Sequence, residues 1–188
     1  RIIFDDLERC YAARLRGTVD AAPAPSQYPE FARWQAQRLD GPTRQRLLEH
    51  WTARLAGAPP VLDLPTDRPR PPVPAFKGGI EWFEWPAPLA GAVRSYAAGQ
   101  SATEYQVLLA ALIAVLYRYT GQDDLVVGTP AANRTRVETE ATVGFFVNPL
   151  PVRARLHPGM TFRELTAQTR AAVIEAQAHQ DLPFELLV

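Results

Sequence analysis

Apolar residues recur along this chain mostly at helical spacings, with a few short runs between. Ile3, Leu7, Tyr11 and Leu15 fall four apart while Asp5, Asp6, Glu8 and Arg9 take the other faces, which predicts an amphipathic helix over 3–16, stopped at Gly17. The Ala/Pro/Ser stretch 19–27 reads as a linker or crossover. A helical hairpin follows. Phe31, Trp34 and the stem of Arg38 share one side of its first helix, Asp40-Gly41-Pro42 breaks it, and Leu47, Leu48, Trp51 and Leu55 carry the second as far as Gly57. Seven prolines in 59–74 forbid helix or central strand there, so that stretch should run extended. After Gly78 and Gly79, the aromatic run 80–85 predicts a strand, and 86–98 a helix through Leu89, Val93 and Tyr96. Ser101-Ala-Thr-Glu104 has the form of a capping box opening the most apolar helix, 102–119, closed by Gly121. A short buried strand is expected at 125–128 and one or two more within 143–156. Thr161-Phe-Arg-Glu164 is a second capping box, opening a helix to about Ala178, and Pro183 begins another. Helices and strands intermix, so the fold class is α/β or α+β with a mixed sheet, and no internal repeat is visible.

Composition narrows the function classes. The 188 residues suit one domain, and 47% hydrophobic residues make a packed core attainable. Twenty basic and twenty acidic residues cancel, which argues against nucleic acid or anionic lipid as a partner. The single cysteine excludes an internal disulfide framework, and three scattered histidines argue against a metal centre. No apolar run reaches the roughly 18–20 residues that span a bilayer. The expectation is a soluble cytoplasmic protein that binds no metal. The start at Arg1-Ile2-Ile3-Phe4, without initiator Met or signal peptide, reads as a cut from something longer.

Familiar chemistries are missing. No serine sits in G-x-S-x-G, and no phosphate-cradling glycine pattern precedes a helix. His50 beside Trp51 reads as helix surface or satisfied core, His157 as a turn residue, and Asp123-Asp124 as a solvated loop pair. Cys10, on the apolar side of the first helix, reads as a small core hydrophobe. Asn133-Arg-Thr135 matches a glycosylation sequon by chance.

Two segments are harder to explain as scaffold. In Gly144-Phe-Phe-Val-Asn148-Pro149 an Asn interrupts an apolar strand, and a buried amide left without partners costs about 1–3 kcal/mol. In His179-Gln-Asp-Leu-Pro-Phe-Glu185 three polar residues end one helix and Pro183 begins the next. This is either a rigid corner capped by Asp181 or Leu182, or a corner lining a channel.

These segments resemble two motifs of the nonribosomal peptide synthetase condensation domain, V-G-x-F-V-N-T-x-x-x-R and H-Q-D-x-P-F-E. They stand here as Val143-Gly-Phe-Phe-Val-Asn-Pro-Leu-Pro-Val-Arg153 and His179 to Glu185. An earlier family motif, Y-x-D-(F/Y)-A-x-W-Q, is similar to Tyr28-Pro-Glu-Phe-Ala-Arg-Trp-Gln35, with Glu for Asp; LPTDRPRP (64–71) and RYTGQDDLVVGTP (118–130) also look like the family. The resemblance implies a chloramphenicol-acetyltransferase-like fold of two lobes. Between them runs a tunnel entered from both faces by phosphopantetheine arms of an upstream and a downstream peptidyl carrier protein. An amine on one arm attacks the thioester on the other.

The family's H-H-x-x-x-D-G active-site motif has no counterpart in this sequence, nor has the late R-D-x-S-R-like motif. The resemblance therefore implies a central slice: residues 1–20 the last helix of the first lobe, 21–75 crossover, hairpin and Pro-rich connector, and 76–188 most of the second lobe. No catalytic residue is assigned, the chain alone is expected to be inactive, and its partners include the missing first lobe and adjacent synthetase domains. It binds no cofactor itself, the phosphopantetheine arriving on the carriers. Gly144, Phe146 and Asn148 are expected to face the substrate tunnel, and His179, Gln180 and Asp181 to form its corner. Arg134 and Arg136 are candidate phosphate contacts for a carrier arm, or simply solvated loop arginines. Two other readings share the fold: a noncatalytic recruitment module and a stand-alone acyltransferase.

Overall fold

A computed structural model describes residues 1–19, 25–69, 71–73 and 78–187. The element order is α1 (Ile2–Leu15), α2 (Tyr28–Arg38), α3 (Pro42–Leu55), α4 (Ala87–Gly99), α5 (Glu104–Thr120), β1 (Asp124–Ala131), β2 (Asn148–Arg155) and α6 (Phe162–Ala178). Short 3-10 turns occupy Val137–Thr139 and Phe184–Leu186. The chain is thus a mixed α/β fold. The expected boundaries near 20 and 75 fall beside or within the segments outside the described residues, as do parts of the linker and of the Pro-rich run. The described parts of 59–73 carry neither helix nor strand.

The chain divides into two units, each discontinuous in sequence. One comprises Arg1–Ala53, Pro130–Leu150 and His179–Val188, the other Arg54–Thr129 and Pro151–Ala178. The second has the larger apolar core. Leu109, Ala110 and Ile113 of α5 meet Leu125 of β1, Val152 and Ala154 of β2, Leu156, and Leu165, Ala172 and Val173 of α6. The Leu156 N–H donates to the Asp123 carbonyl at 2.7 Å, so the end of β2 lies beside the start of β1 in the antiparallel sense. Gly121, left-handed at φ 70°, ends α5 by returning its N–H to the Tyr117 carbonyl. Thr161 and Glu164 cap α6 reciprocally, as the sequence predicts. In the first unit Phe31, Leu39, Leu47, Trp51, Phe146 and Leu182 are buried, with Trp51 only 1% exposed.

Four expectations are corrected. The box that opens α5 pairs Thr103 with Gln106, not Ser101 with Glu104. Ser101 has φ 50°, outside the helical region, so the helix starts later, and Glu104 pairs with Arg94 at 3.7 Å. Residues 80–85 form no strand, and Ile80, Trp82 and Phe83 are exposed. A strand exists by its ladder, and among the described residues no segment pairs with this one. The apolar stripe of α1 forms its helix, but Ile3, Leu7, Tyr11 and Leu15 are exposed and Cys10 with them, so Cys10 is not a core residue. Finally, regular strand within 143–156 begins only at Asn148. Among the described residues no single helix is long and apolar enough to cross a membrane.

Candidate functional site

The first unit brings the three motif segments together, and Asn148 is the joint. Its Nδ2 donates to the carbonyls of Gln180 at 2.9 Å and Leu182 at 2.7 Å, and its Oδ1 accepts the Phe184 N–H at 2.9 Å. Both amide donors and the acceptor are thereby matched to backbone, which is how a buried Asn is tolerated in an apolar stretch. The amide is turned toward the corner 180–184.

Three other contacts hold the same corner. The Trp51 indole N–H donates to the His179 carbonyl at 3.2 Å. The His179 and His50 imidazoles stack in parallel with centroids 3.5 Å apart. Asp181 accepts from Arg38 Nε at 3.1 Å, with Arg38 Nη2 at 3.0 Å. Gln180 enters through its carbonyl. His179, Gln180 and Asp181 are thus tied to α2, α3 and Asn148, while the turn that follows has Pro183 at its N-cap and takes no side-chain cap from Asp181 or Leu182.

Gly144 and Phe146 lie on the segment leading into Asn148. Phe146 is buried under Phe31 at 4.6 Å and Tyr28 at 5.1 Å between centroids, with the Arg134 guanidinium 4.1 Å above its ring. Its neighbours Val143, Phe145 and Val147 point outward, Phe145 being 75% exposed. Arg134 also donates to the Thr139 carbonyl and to that of Thr142 at 3.0 Å, so its guanidinium is a loop brace. Arg136 lies 4.8 Å over the Trp34 ring and bonds Glu138 at 3.3 Å. The Glu138 carboxyl is held below its ordinary range, first by its own backbone N–H and then by Arg136. A cleft of about 110 Å³ opens where these segments meet, lined by Tyr28, Gln35, Asn133, Phe145, Asn148 and Glu185 among others.

Sequence reasoning singled out neither Tyr28 nor Arg153, although both stand at motif ends. In the second unit Arg153, 5% exposed, makes a two-pronged pair with Asp124, Nε to Oδ1 at 2.7 Å and Nη2 to Oδ2 at 2.5 Å. Its Nη1 donates to the carbonyls of Arg54 and Ala56, both at 2.9 Å. The Arg153 hydrogen bond holds the Asp124 carboxyl below its ordinary range, and the Arg153 guanidinium is raised in turn. The signal was the terminal Arg of one motif and the Asp123-Asp124 pair of another, and the reading of that pair as a solvated loop is corrected at Asp124, which opens β1 half-buried against Arg153. Among the described residues, no group of His, Cys, Asp and Glu has an arrangement that would hold a metal ion.

This mixture of helices and a small sheet is that of a chloramphenicol-acetyltransferase-like lobe, and comparison with known proteins specifies the family. The model of the condensation domain matches residues 1–188. The chain belongs to the condensation-domain family of nonribosomal peptide synthetases. It is 47% identical over 178 residues to phosphinothricin tripeptide synthetase PhsC of Streptomyces viridochromogenes, a match covering 95% of this chain and 16% of the relative. The X-domain solved in complex with OxyB from teicoplanin biosynthesis is similar at a TM-score of 0.90 and 33% identity, covering 99% of this chain and 42% of that one. The first condensation domain of the CDA synthetase shares the fold at a TM-score of 0.77 and 23% identity, covering 96% and 40%. The chain therefore spans well under half the length of these relatives.

Proposed function

We propose that this chain is the substrate-positioning part of a domain that joins a carrier-bound acyl or peptidyl thioester to a carrier-bound amine. In that reaction the amine nitrogen attacks the thioester carbonyl, a C–N bond forms, the C–S bond breaks, and the amine loses a proton. The base expected of the family, the second His of H-H-x-x-x-D-G, has no counterpart in these 188 residues. What these residues contribute is fixed geometry. Asn148 locks the 180–184 corner to the segment 143–147, whose outward side chains and backbone are the surface offered to substrate. Holding such a surface still lowers the entropy cost of bringing two arms into line. That three-bond joint between two motifs is the observation that carries this reading. Upstream and downstream carriers, adjacent synthetase domains and a cytoplasmic setting belong to the same proposal.

The test is an assay with both carriers loaded. The complete condensation domain should form the amide, and residues 1–188 alone should form none above a no-protein control. Turnover by the isolated chain would overturn the assignment of the base to residues outside it. A second reading is supported by the similarity to the X-domain, which was solved bound to OxyB. A recruitment module of this fold would bind a partner enzyme with undiminished affinity while the complete domain formed no amide bond.

A further inference from the structure

Gly144 is a glycine for lack of space, and what fills the space is Tyr28. A Cβ built on Gly144 would lie 2.8 Å from Tyr28 Cγ, closer still to Cδ2, and 3.1 Å from Phe146 Cε2. Real Cβ atoms essentially never approach within 3.0 Å of such atoms. The Tyr28 ring has little room to retreat. It sits edge-on to Phe146 at 5.1 Å and against Phe31 at 5.9 Å, and its hydroxyl donates to the Phe145 carbonyl at 2.9 Å. The segment 143–147 is anchored at both ends as well, by the Thr142 hydroxyl on the Ser26 carbonyl at 2.7 Å and by Asn148 on the corner. It has no strand ladder of its own. Beside the buried Phe146 ring, the backbone in the middle of this non-strand segment is thus braced at the Phe145 carbonyl by a phenol reaching across 117 positions of sequence.

We infer that Tyr28 is a positioning residue for the proposed condensation, with Gly144 the notch that admits its ring. Together they set where the exposed residues Gly144, Phe145 and Val147 stand relative to the thioester and amine. This rests on the proposed function above. The Tyr28 hydroxyl touches no reacting atom; it acts through the Phe145 carbonyl. Because Thr142 and Asn148 hold the two ends independently, loss of the hydroxyl should release the middle without unfolding the unit.

The experiment uses the complete condensation domain with its loaded carrier proteins. Tyr28→Phe keeps the ring and should lower kcat about tenfold while KM for the carriers changes less than about twofold. In the same variant, chymotryptic cleavage after the exposed Phe145 should quicken about tenfold, the equivalent of one lost hydrogen bond, while the thermal midpoint stays near wild type. Gly144→Ala should lose on the order of 100-fold in kcat, and Gly144→Ala combined with Tyr28→Ala should recover part of that loss by restoring room. Unchanged kcat and cleavage in Tyr28→Phe, or a double variant no better than Gly144→Ala, would overturn the inference. A wild-type domain forming no amide bond would instead overturn the proposed function. The cleavage measurement would then decide whether the clamp exists.

Discussion

The two units of this chain are held together by different physics. The second is an apolar layer in which Ile113 and Ala110 of α5 are fully buried against strand and helix residues, with the buried Arg153 held by the half-buried Asp124 and by the Arg54 and Ala56 carbonyls. The first has its own apolar residues, but its motif segments are joined by side chains gripping distant backbone: Asn148 on 180–184, Trp51 on His179, Tyr28 on Phe145. Burial is non-directional and tolerates small displacements, whereas side-chain-to-backbone bonds fix a loop to a few tenths of an ångström. The unit that carries the motif junction is therefore the one that leans more on directed bonds, Arg153 being the counterpart in the second.

The largest effect that would test this contrast is Ile113→Ala. The side chain is fully buried, so the substitution removes apolar area and leaves a cavity, at an expected cost of about 4 kcal/mol in denaturant unfolding. Its exchange signature should spread through α5, α6 and the strands together. A cost below about 1 kcal/mol would show that the second unit is not organised around this layer.

Next comes Asp124→Asn, which removes the countercharge and one of the two acceptor oxygens facing the buried Arg153; taking the countercharge from such a cation costs about 3 kcal/mol. The pH dependence follows from the lowered carboxyl. A depressed folded-state value means that the stabilisation is fully present above the ordinary aspartate value of 3.8 and is lost as pH falls through the lower folded value. Acid titration of stability should show a limb below pH 3.8 that Asp124→Asn reduces. An identical acid limb in the variant would mean that the pair contributes nothing.

The same contrast explains what could be read in advance. The second unit was largely legible because 3.6-residue periodicity and the Thr161–Glu164 box report local burial and local caps. Even there the α5 box was displaced, since the left-handed backbone of Ser101 leaves no trace in the pattern. The strand expected at 80–85 failed for a general reason: alternation and aromatics describe a strand's faces, and its existence depends on a partner edge. α1 shows the other side of that limit. Its stripe correctly predicts a helix and says nothing of what covers it, so Cys10 was misplaced. In the first unit Asn148 was legible as an anomaly, a polar residue where apolar ones belong. Its partners lie 32 to 36 positions away and bind through backbone, which has no residue identity to recognise. Tyr28 was less legible still, because nothing in its neighbourhood marks a hydroxyl aimed 117 positions ahead.

The smallest of these effects, and the sharpest for the comparison, is at Asn148. Alanine there removes three bonds but leaves the Gln180 and Leu182 carbonyls and the Phe184 N–H near a small cavity, at an expected cost of about 2 kcal/mol. Asn148→Asp preserves shape and keeps an acceptor for the Phe184 N–H. It would also place an oxygen where Nδ2 now stands, 2.7 and 2.9 Å from two carbonyl oxygens. If directional bonding holds the junction, Asp should destabilise at least as much as Ala at neutral pH, although it is the closer isostere. In both variants exchange should rise at 180–184 and at 148 while α5 and α6 keep wild-type protection. Should Asp prove milder than Ala, packing rather than donor direction would hold the joint. Should α5 and α6 open with it, the two units would unfold as one, and the division between burial and directed bonding would have no thermodynamic meaning.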